Sequence, residues 1–124
     1  MRLILTLLLL MVFAVPVRAD WVKHGGLGEL ATFYHDPTTL KRKGDIAHVW
    51  VYTELGAQLE GVRSSRALYE FDCKELRRRT LRRTSFSGPM MSGEIVGEHA
   101  AGWWNDAPDS TLLKIICPEP PPRQ

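Results

Sequence analysis

The chain has 124 residues, of which 44% are hydrophobic and 24% charged, and its formal net charge is +2 at pH 7. This length is typical of one domain. Residues 1–19 have the order of a cleaved export signal: Arg2, then an apolar run over 3–15, then small residues at the cleavage site. That run is shorter than the roughly 20 apolar residues that span a bilayer, so we expect no membrane anchor after cleavage.

Removal of the signal changes the charge of the chain. Without Arg2 and Arg18, fourteen basic residues balance fourteen acidic ones. A basic stretch in a neutral domain must be offset by acidic residues elsewhere, which indicates a local polar surface. Export and neutrality together argue against a nucleic-acid-binding protein.

The first half of the domain predicts two strands. Residues 25–28 form a glycine-rich, flexible entry, and a strand over 30–35 ends at Asp36-Pro37, since proline favours a turn. A charged turn over 41–45 follows. The clearest strand, 46–53, is dense in β-branched and aromatic residues. Strand alternation gives two largely apolar faces, so we expect cover on both: Ala47, Val49 and Val51 on one, and Ile46, His48, Trp50 and Tyr52 on the other.

A basic run follows the next strand. We expect a polar loop over residues 55–65, a strand over 67–73, and a continuing strand through the run, because a helix there would have only Leu76 and Leu81 as apolar anchors. Alternation places these two leucines on opposite sides, which predicts a turn or β-bulge near 77–79. Arg78 and Arg82 share a period and are expected on the solvent side, with the alternative that the bulge swaps the faces. The predicted binding residues are Lys74, Arg77, Arg78, Arg79, Arg82 and Arg83.

The C-terminal part predicts a short strand over residues 92–98 and a helix that ends before Pro118. Pro108 with Asp109 or Ser110 as N-cap begins this helix. Its apolar stripe is Leu112, Ile115 and Ile116. The expected fold class is α+β, an antiparallel sheet of about five to six strands with a C-terminal helix packed on it. The predicted boundaries are residues 20–117 for a single domain and 118–124 for a disordered, Pro-rich tail.

Cys73 and Cys117 are the two cysteines of the chain. In a small exported domain two cysteines most often form one disulfide, which here would join the end of the helix to the end of a strand. Closing so long a loop would contribute roughly 4 kcal/mol in the chain-entropy model.

Enzymatic chemistry has no positive support in the sequence. The four histidines show no metal-ligand spacing, no serine lies in a nucleophile elbow, and the carboxylates are scattered. We therefore predict no catalytic residue, metal or cofactor, although catalytic groups that meet only in space remain an open alternative. Trp103 and Trp104 either anchor a partner or pack, with one ring buried and its neighbour facing the other way.

The basic run supports two hypotheses. Arginine binds carboxylate, sulfate and phosphate bidentately, so the run could bind an acidic protein or a polyanion. Alternatively, its arginines are only the polar face of the sheet, paired with acidic residues, in a periplasmic structural or envelope-maintenance protein. The oligomeric state is left open.

The order of short motifs along nearly all of the mature chain carries a family resemblance. The motifs are Trp21-Val22-Lys23, Phe33-Tyr34-His35-Asp36-Pro37, Lys41-Arg42-Lys43-Gly44, Val49-Trp50, Phe71-Asp72-Cys73-Lys74 with its arginines, Trp103 before Pro108, and Cys117. In this order they resemble the surface-adhesin protein E family of Gram-negative bacteria.

The resemblance implies an antiparallel sheet, a helix, one disulfide and adhesion, with host extracellular-matrix proteins as one class of partner. The name-giving adhesin carries a lipid anchor, whereas no cysteine lies near the cleavage site at residue 19. We therefore expect an exported product in the periplasm, secreted, or at the cell surface.

Overall fold

The computed structural model describes residues 19–107 and 110–118, so most of the export signal and tail, together with Pro108 and Asp109, lie outside the described residues. A meander of antiparallel strands dominates it, with the order β1-β2-β3-β4-β5-β6, and β7 pairs with β5. The elements are β1 (Val22–Gly26), β2 (Ala31–Lys43), β3 (Ile46–Leu59), β4 (Val62–Asp72), β5 (Arg77–Phe86), a 3-10 turn (Pro89–Met91), β6 (Ile95–Ala100), β7 (Asn105–Asp106) and α1 (Thr111–Ile116).

Several strands are longer than the sequence predicts. The predicted loop over residues 55–65 is wrong: β3 and β4 continue into a two-residue hairpin at Glu60 and Gly61, whose φ angles are 50° and 83°. Positive φ at both positions gives the turn the same twist as the paired strands. The pattern of apolar and polar residues carries no signal of this backbone conformation, so the hairpin was not predicted. Asp36-Pro37 interrupts the ladder of β2 without ending the strand. Of the predicted glycine-rich entry, Gly25 and Gly26 end the edge strand β1, and a turn follows in which the backbone N–H of Leu30 donates to the carbonyl of Leu27 at 3.0 Å.

The helix α1 packs on one side of the sheet, here called the covered face. Ser110, one of the two predicted N-cap residues, caps it, and its hydroxyl accepts from the backbone N–H of Leu113 at 3.3 Å. The predicted stripe is partly wrong, since Leu113 is 1% exposed and Ile115 is 49% exposed. The core comprises Ala47, Val49, Val51, Ala67, Phe71, Leu112, Leu113, Ile116 and Cys117.

One disulfide joins Cys73 to Cys117, as predicted, with the Cα atoms 5.3 Å apart. It connects the turn after β4 to Cys117, the C-cap residue of α1, whose backbone N–H donates to the carbonyl of Leu113 at 2.7 Å. A helix of six residues is too short to be stable alone, so the disulfide and the buried leucines hold it on the sheet.

A β-bulge lies at Leu81, not near residues 77–79. Leu68 pairs with Arg82 and Tyr69 with Thr80, which leaves Leu81 as the extra residue of β5. The prediction was wrong because it required Leu76 to face the core. Leu76 lies instead in the turn before β5, with φ of 53° and 40% exposure.

The other side of the sheet, here called the open face, has cover at its ends and over Tyr52, which is 7% exposed and whose ring lies 5.5 Å from the ring of Trp21. The 3-10 turn lies over one end, where Met91 N–H donates to the Ser64 hydroxyl at 2.9 Å. Trp104 lies over the other, within cation–π distance of two arginines. The expected cover on both faces of β3 is therefore incomplete, and its middle stays open around Trp50. Among the residues described, no helix is long and apolar enough to cross a membrane.

Candidate functional site

The bulge at Leu81 divides the predicted binding residues between the two faces of the sheet. Before the bulge, Arg78 pairs with Phe71, whose side chain is in the covered core. After it, Arg82 pairs with Leu68, three residues from Phe71 and therefore on the open face. Arg78 and Arg82 therefore do not share the solvent side, and the alternative that a bulge changes the faces applies, with the bulge at Leu81. Arg77, Arg79 and Arg82 lie on the open face, and Arg78 and Arg83 on the covered face.

Arg77 and Arg79 are each paired with a carboxylate. The Nη2 atom of Arg77 lies 3.3 Å from Asp72 Oδ2, and that of Arg79 lies 2.8 Å from Glu70 Oε1. The ring of Trp104 covers both guanidinium groups, at 4.7 Å and 4.6 Å from its centroid. These two arginines belong to a cross-strand network and are not free positive charges.

Asp72 is held in its ionised form. The backbone N–H of Glu75 donates to its Oδ1 atom at 3.1 Å, and this bond is the main cause that lowers the pKa of Asp72 below its usual 3.8. Burial acts in the opposite direction, whereas the N–H of Lys74 and the Arg77 guanidinium lower the pKa further. The ionised carboxylate therefore offsets the charge of Arg77.

Arg78 and Arg83 are held by one tyrosine on the covered face. The Cζ atom of Arg78 lies 5.1 Å from the ring centroid of Tyr69, and Arg83 Nη2 donates to the Tyr69 hydroxyl at 3.0 Å. Neither has a carboxylate partner in the described part of the chain. Both guanidinium groups are thus oriented but not neutralised.

Arg82 and Lys74 are the exposed members of the predicted set. Lys74 lies in the turn between β4 and β5, whereas Arg82 lies in the middle of the open face. No carboxylate within residues 19–107 and 110–118 pairs with either one. The structure therefore does not bring the six residues together as one surface.

Arg66, which the sequence reasoning missed, stands beside Arg82. Arg66 pairs with Thr84, the second residue after Arg82 on the same face. Its guanidinium lies over the ring of Trp50, 5.8 Å from the centroid. Arg66 stands alone in the sequence, and only the strand register places it near the basic run. A shallow concavity of about 620 Å³ is lined by Arg66, Leu81, Arg82, Thr84, Glu98, His99 and Ala100.

The two adjacent tryptophans differ in their environment. Trp103 is 90% exposed, and Trp104 is half-buried over Arg77 and Arg79. The packing alternative applies to Trp104, and a role of the exposed Trp103 as partner anchor stays a prediction.

A pair of histidines lies on the covered face. His24 is the extra residue of a bulge in β1, and its Nδ1 atom lies 3.0 Å from Nδ1 of His35. Burial, then His35, then Arg78 lower the pKa of His24 from 6.5 to about 4, against a smaller raising effect of the Val22 backbone. Burial also lowers the pKa of His35, although Asp36 opposes this. Within the described residues, no three metal-ligating side chains are grouped.

A family model described as surface-adhesin protein E matches residues 21–118 of the chain. The chain belongs to the surface-adhesin protein E family. A sequence search of curated proteins gives no match. The membership agrees with the antiparallel sheet, the disulfide and an exported adhesin-like module, while the choice between periplasm and cell surface stays a prediction.

Solved structures of the same family share the fold. The chain is similar to Haemophilus influenzae protein E in its crystal form II, with 18% identity, a TM-score of 0.58, and coverage of 82% of this chain and 89% of that one. A second structure of the same protein gives 18% identity and a TM-score of 0.57, covering 82% and 86%. Protein E from non-typeable Haemophilus influenzae gives 18% identity and a TM-score of 0.51, covering 83% of this chain and 78% of that one. At this identity the likeness shows the fold alone.

Proposed function

We propose that this member of the surface-adhesin protein E family is a non-enzymatic exported binding module for an acidic protein or a polyanion, with extracellular-matrix proteins as one candidate class. The observation that carries the proposal is the pair Arg66 and Arg82. Both are exposed on the open face, on neighbouring strands, and neither has a carboxylate partner in the described part of the chain.

The chemistry of this pair suits an acidic partner. Two guanidinium groups on adjacent strands can each bind a carboxylate or sulfate through two parallel hydrogen bonds. Trp50 lies beside them on the uncovered middle of the sheet, and tryptophan and arginine dominate interface hot spots. A rigid sheet presents the three side chains without ordering a loop on binding.

The other basic residues contribute differently. Arg77 and Arg79 position Trp104 and, through it, the neighbouring exposed Trp103, at the edge of the same face. Lys74 adds a peripheral charge that attracts an acidic partner at long range. Arg78 and Arg83 lie on the covered face and take no part in this surface.

A pair of double variants tests the proposal by retention on immobilised heparin, a sulfated polymer. Arg66→Glu/Arg82→Glu reverses two charges on the open face, and Arg42→Glu/Lys114→Glu makes the same change in net charge at exposed sites on the covered side of the sheet. We expect the first variant to elute at clearly lower salt than the second, with binding steeply dependent on salt. Equal losses in the two folded variants would show a general effect of net charge and overturn the proposal.

The alternative, a periplasmic envelope protein without an acidic ligand, has one specific observation in its favour. The pairing of Arg77 with Asp72 and of Arg79 with Glu70 is what a purely structural sheet surface requires. This alternative predicts that wild-type protein is not retained on heparin. It also predicts that protease treatment of intact cells leaves the protein uncut, whereas an outward-facing adhesin is digested.

A further inference from the structure

A pocket of about 310 Å³ opens on the covered face, on the side of the sheet opposite Arg66 and Arg82. It lies where β1, β2 and β3 meet the first residues of α1, and its volume is at the lower end of the about 300–1,000 Å³ of ligand pockets. Phe33, Val51 and Leu112 supply apolar lining. The pocket thus has the size and walls for a small organic molecule.

The positive charge of Arg78 in this pocket is not offset by an acidic side chain among the described residues of its lining. Arg78 lines it together with His24 and hydroxyl-bearing residues, and none of the described residues that line it is an aspartate or a glutamate. Burial above all, and then His35 and Arg78, lower the pKa of His24 to about 4, so His24 is neutral near pH 7 and Arg78 carries the positive charge among the described residues that line the pocket. A pocket with this lining disfavours a cation and favours an anion.

We propose that the pocket binds a small organic acid, whose carboxylate contacts the Arg78 guanidinium and whose apolar body packs on Phe33, Val51 and Leu112. Nothing in the surface on the opposite face is required for this site. It therefore stands or falls independently of the proposed adhesive function.

Local structure prepares the pocket for a ligand. The bulge in β1 directs His24 towards His35 on the covered face, and bulges commonly re-aim side chains beside binding sites. Stacking on Tyr69 holds Arg78 in place before a ligand arrives, which reduces the entropic cost of binding. Gly25 leaves room next to Phe33, because a Cβ atom there would lie 3.7 Å from the Phe33 ring and occupy part of the space.

Benzoate is the probe for a first test, and its neutral analogue benzyl alcohol is the control ligand. We expect saturable chemical-shift changes of the pocket residues with benzoate, with a dissociation constant on the order of 1 mM or lower. Arg78→Gln should weaken binding about ten- to a hundred-fold, since it removes a charged hydrogen-bond donor. Arg82→Gln, on the open face, should bind like the wild type. Equal binding of benzyl alcohol, or no saturable benzoate binding by the wild type, would overturn the proposal.

A second variant tests the pocket without a change in charge. Gly25→Val fills space beside Phe33 at a strand position, and Gly97→Ala is a control on β6. We expect the first to abolish benzoate binding and the second to leave it unchanged, with both folded by near-ultraviolet circular dichroism. Undiminished binding by folded Gly25→Val would place benzoate elsewhere and contradict the proposal. If Arg78→Gln does not fold, Gly25→Val decides alone.

Discussion

Arg78 and Arg82 lie on opposite faces of the sheet, although they are four residues apart on one strand. Regular alternation would place both on the same side. The single extra residue Leu81 reverses the alternation, and so one arginine lines the pocket beside the helix and the other stands in the open middle of the sheet. One basic run thereby contributes arginines to both faces of the sheet.

Loss of the disulfide should destabilise the domain strongly. Cys73→Ser/Cys117→Ser frees two ends separated by 44 residues, and we expect a loss of about 2–5 kcal/mol in the free energy of unfolding. Urea denaturation of variant and wild type measures it. The mass of alkylated protein with and without prior reduction should show no free thiol before reduction, and two free thiols there would contradict the structure.

Phe71 should dominate the stability of the core. It is fully buried between the sheet and α1, so Phe71→Ala should cost about 3–5 kcal/mol through lost burial and the cavity that it leaves. Leu76→Ala, at an exposed turn position, is the control and should change stability little. Similar effects of the two variants in chemical denaturation would show that Phe71 is not in the core.

Trp103 and Trp104 should separate in their effects on stability. Trp104→Ala removes two cation–π contacts, with Arg77 and Arg79, and we expect a cost of about 1–2 kcal/mol. Trp103→Ala should leave the melting temperature unchanged, because its ring is 90% exposed. Thermal denaturation of both variants measures the difference, and a lower melting temperature for Trp103→Ala than for Trp104→Ala would contradict the placement of the two rings.

Stability should fall in mild acid because of His24. Its pKa is about 4 in the folded state and 6.5 as a free side chain, so the unfolded chain binds more protons between these values. The free energy of unfolding therefore decreases as pH falls from about 6.5 to about 4 and is unaffected by this group above that window. His24 is partly solvent-exposed, and we discount the effect for screening to about 1 kcal/mol.

The groups around His24 refine this prediction. His35 and Arg78 disfavour the protonated ring of His24, while Asp36 favours protonation of His35. Asp72 loses its contribution only at lower pH, as its carboxylate becomes protonated below its usual 3.8. Urea denaturation from pH 7 to pH 4 should thus show that the free energy of unfolding changes less steeply with pH in His24→Gln than in the wild type. Equal slopes would assign the acid sensitivity to other groups.

Local patterns were sufficient for much of the fold. The alternation around Val49 identified the central strand, and the two N-cap candidates Asp109 and Ser110 located the start of the helix. The pairing of Cys73 with Cys117 followed from their number and the expected export. The continued strands at residues 55–65 were missed, because the hairpin at Glu60 and Gly61 depends on backbone twist and not on composition.

The candidate surface could be predicted only in part. Arg82 belongs to the basic run and was named, whereas Arg66 acquires its role from the register of β4 with β5. The pairing of Arg77 and Arg79 with acidic residues was one of two alternatives, and the choice depended on where Asp72 and Glu70 point.

By itself, the sequence determined the antiparallel sheet with a C-terminal helix, the disulfide and the family, because these depend on residue type, local periodicity and the order of motifs. The predicted five to six strands fell short of the seven that the described part of the chain contributes to the sheet. Tertiary structure decided which arginines are free, which are paired and which face each one occupies. A shift of one residue in a strand moves every later side chain to the other face, and the position of the bulge at Leu81 is set by pairing with β4 and not by the local sequence.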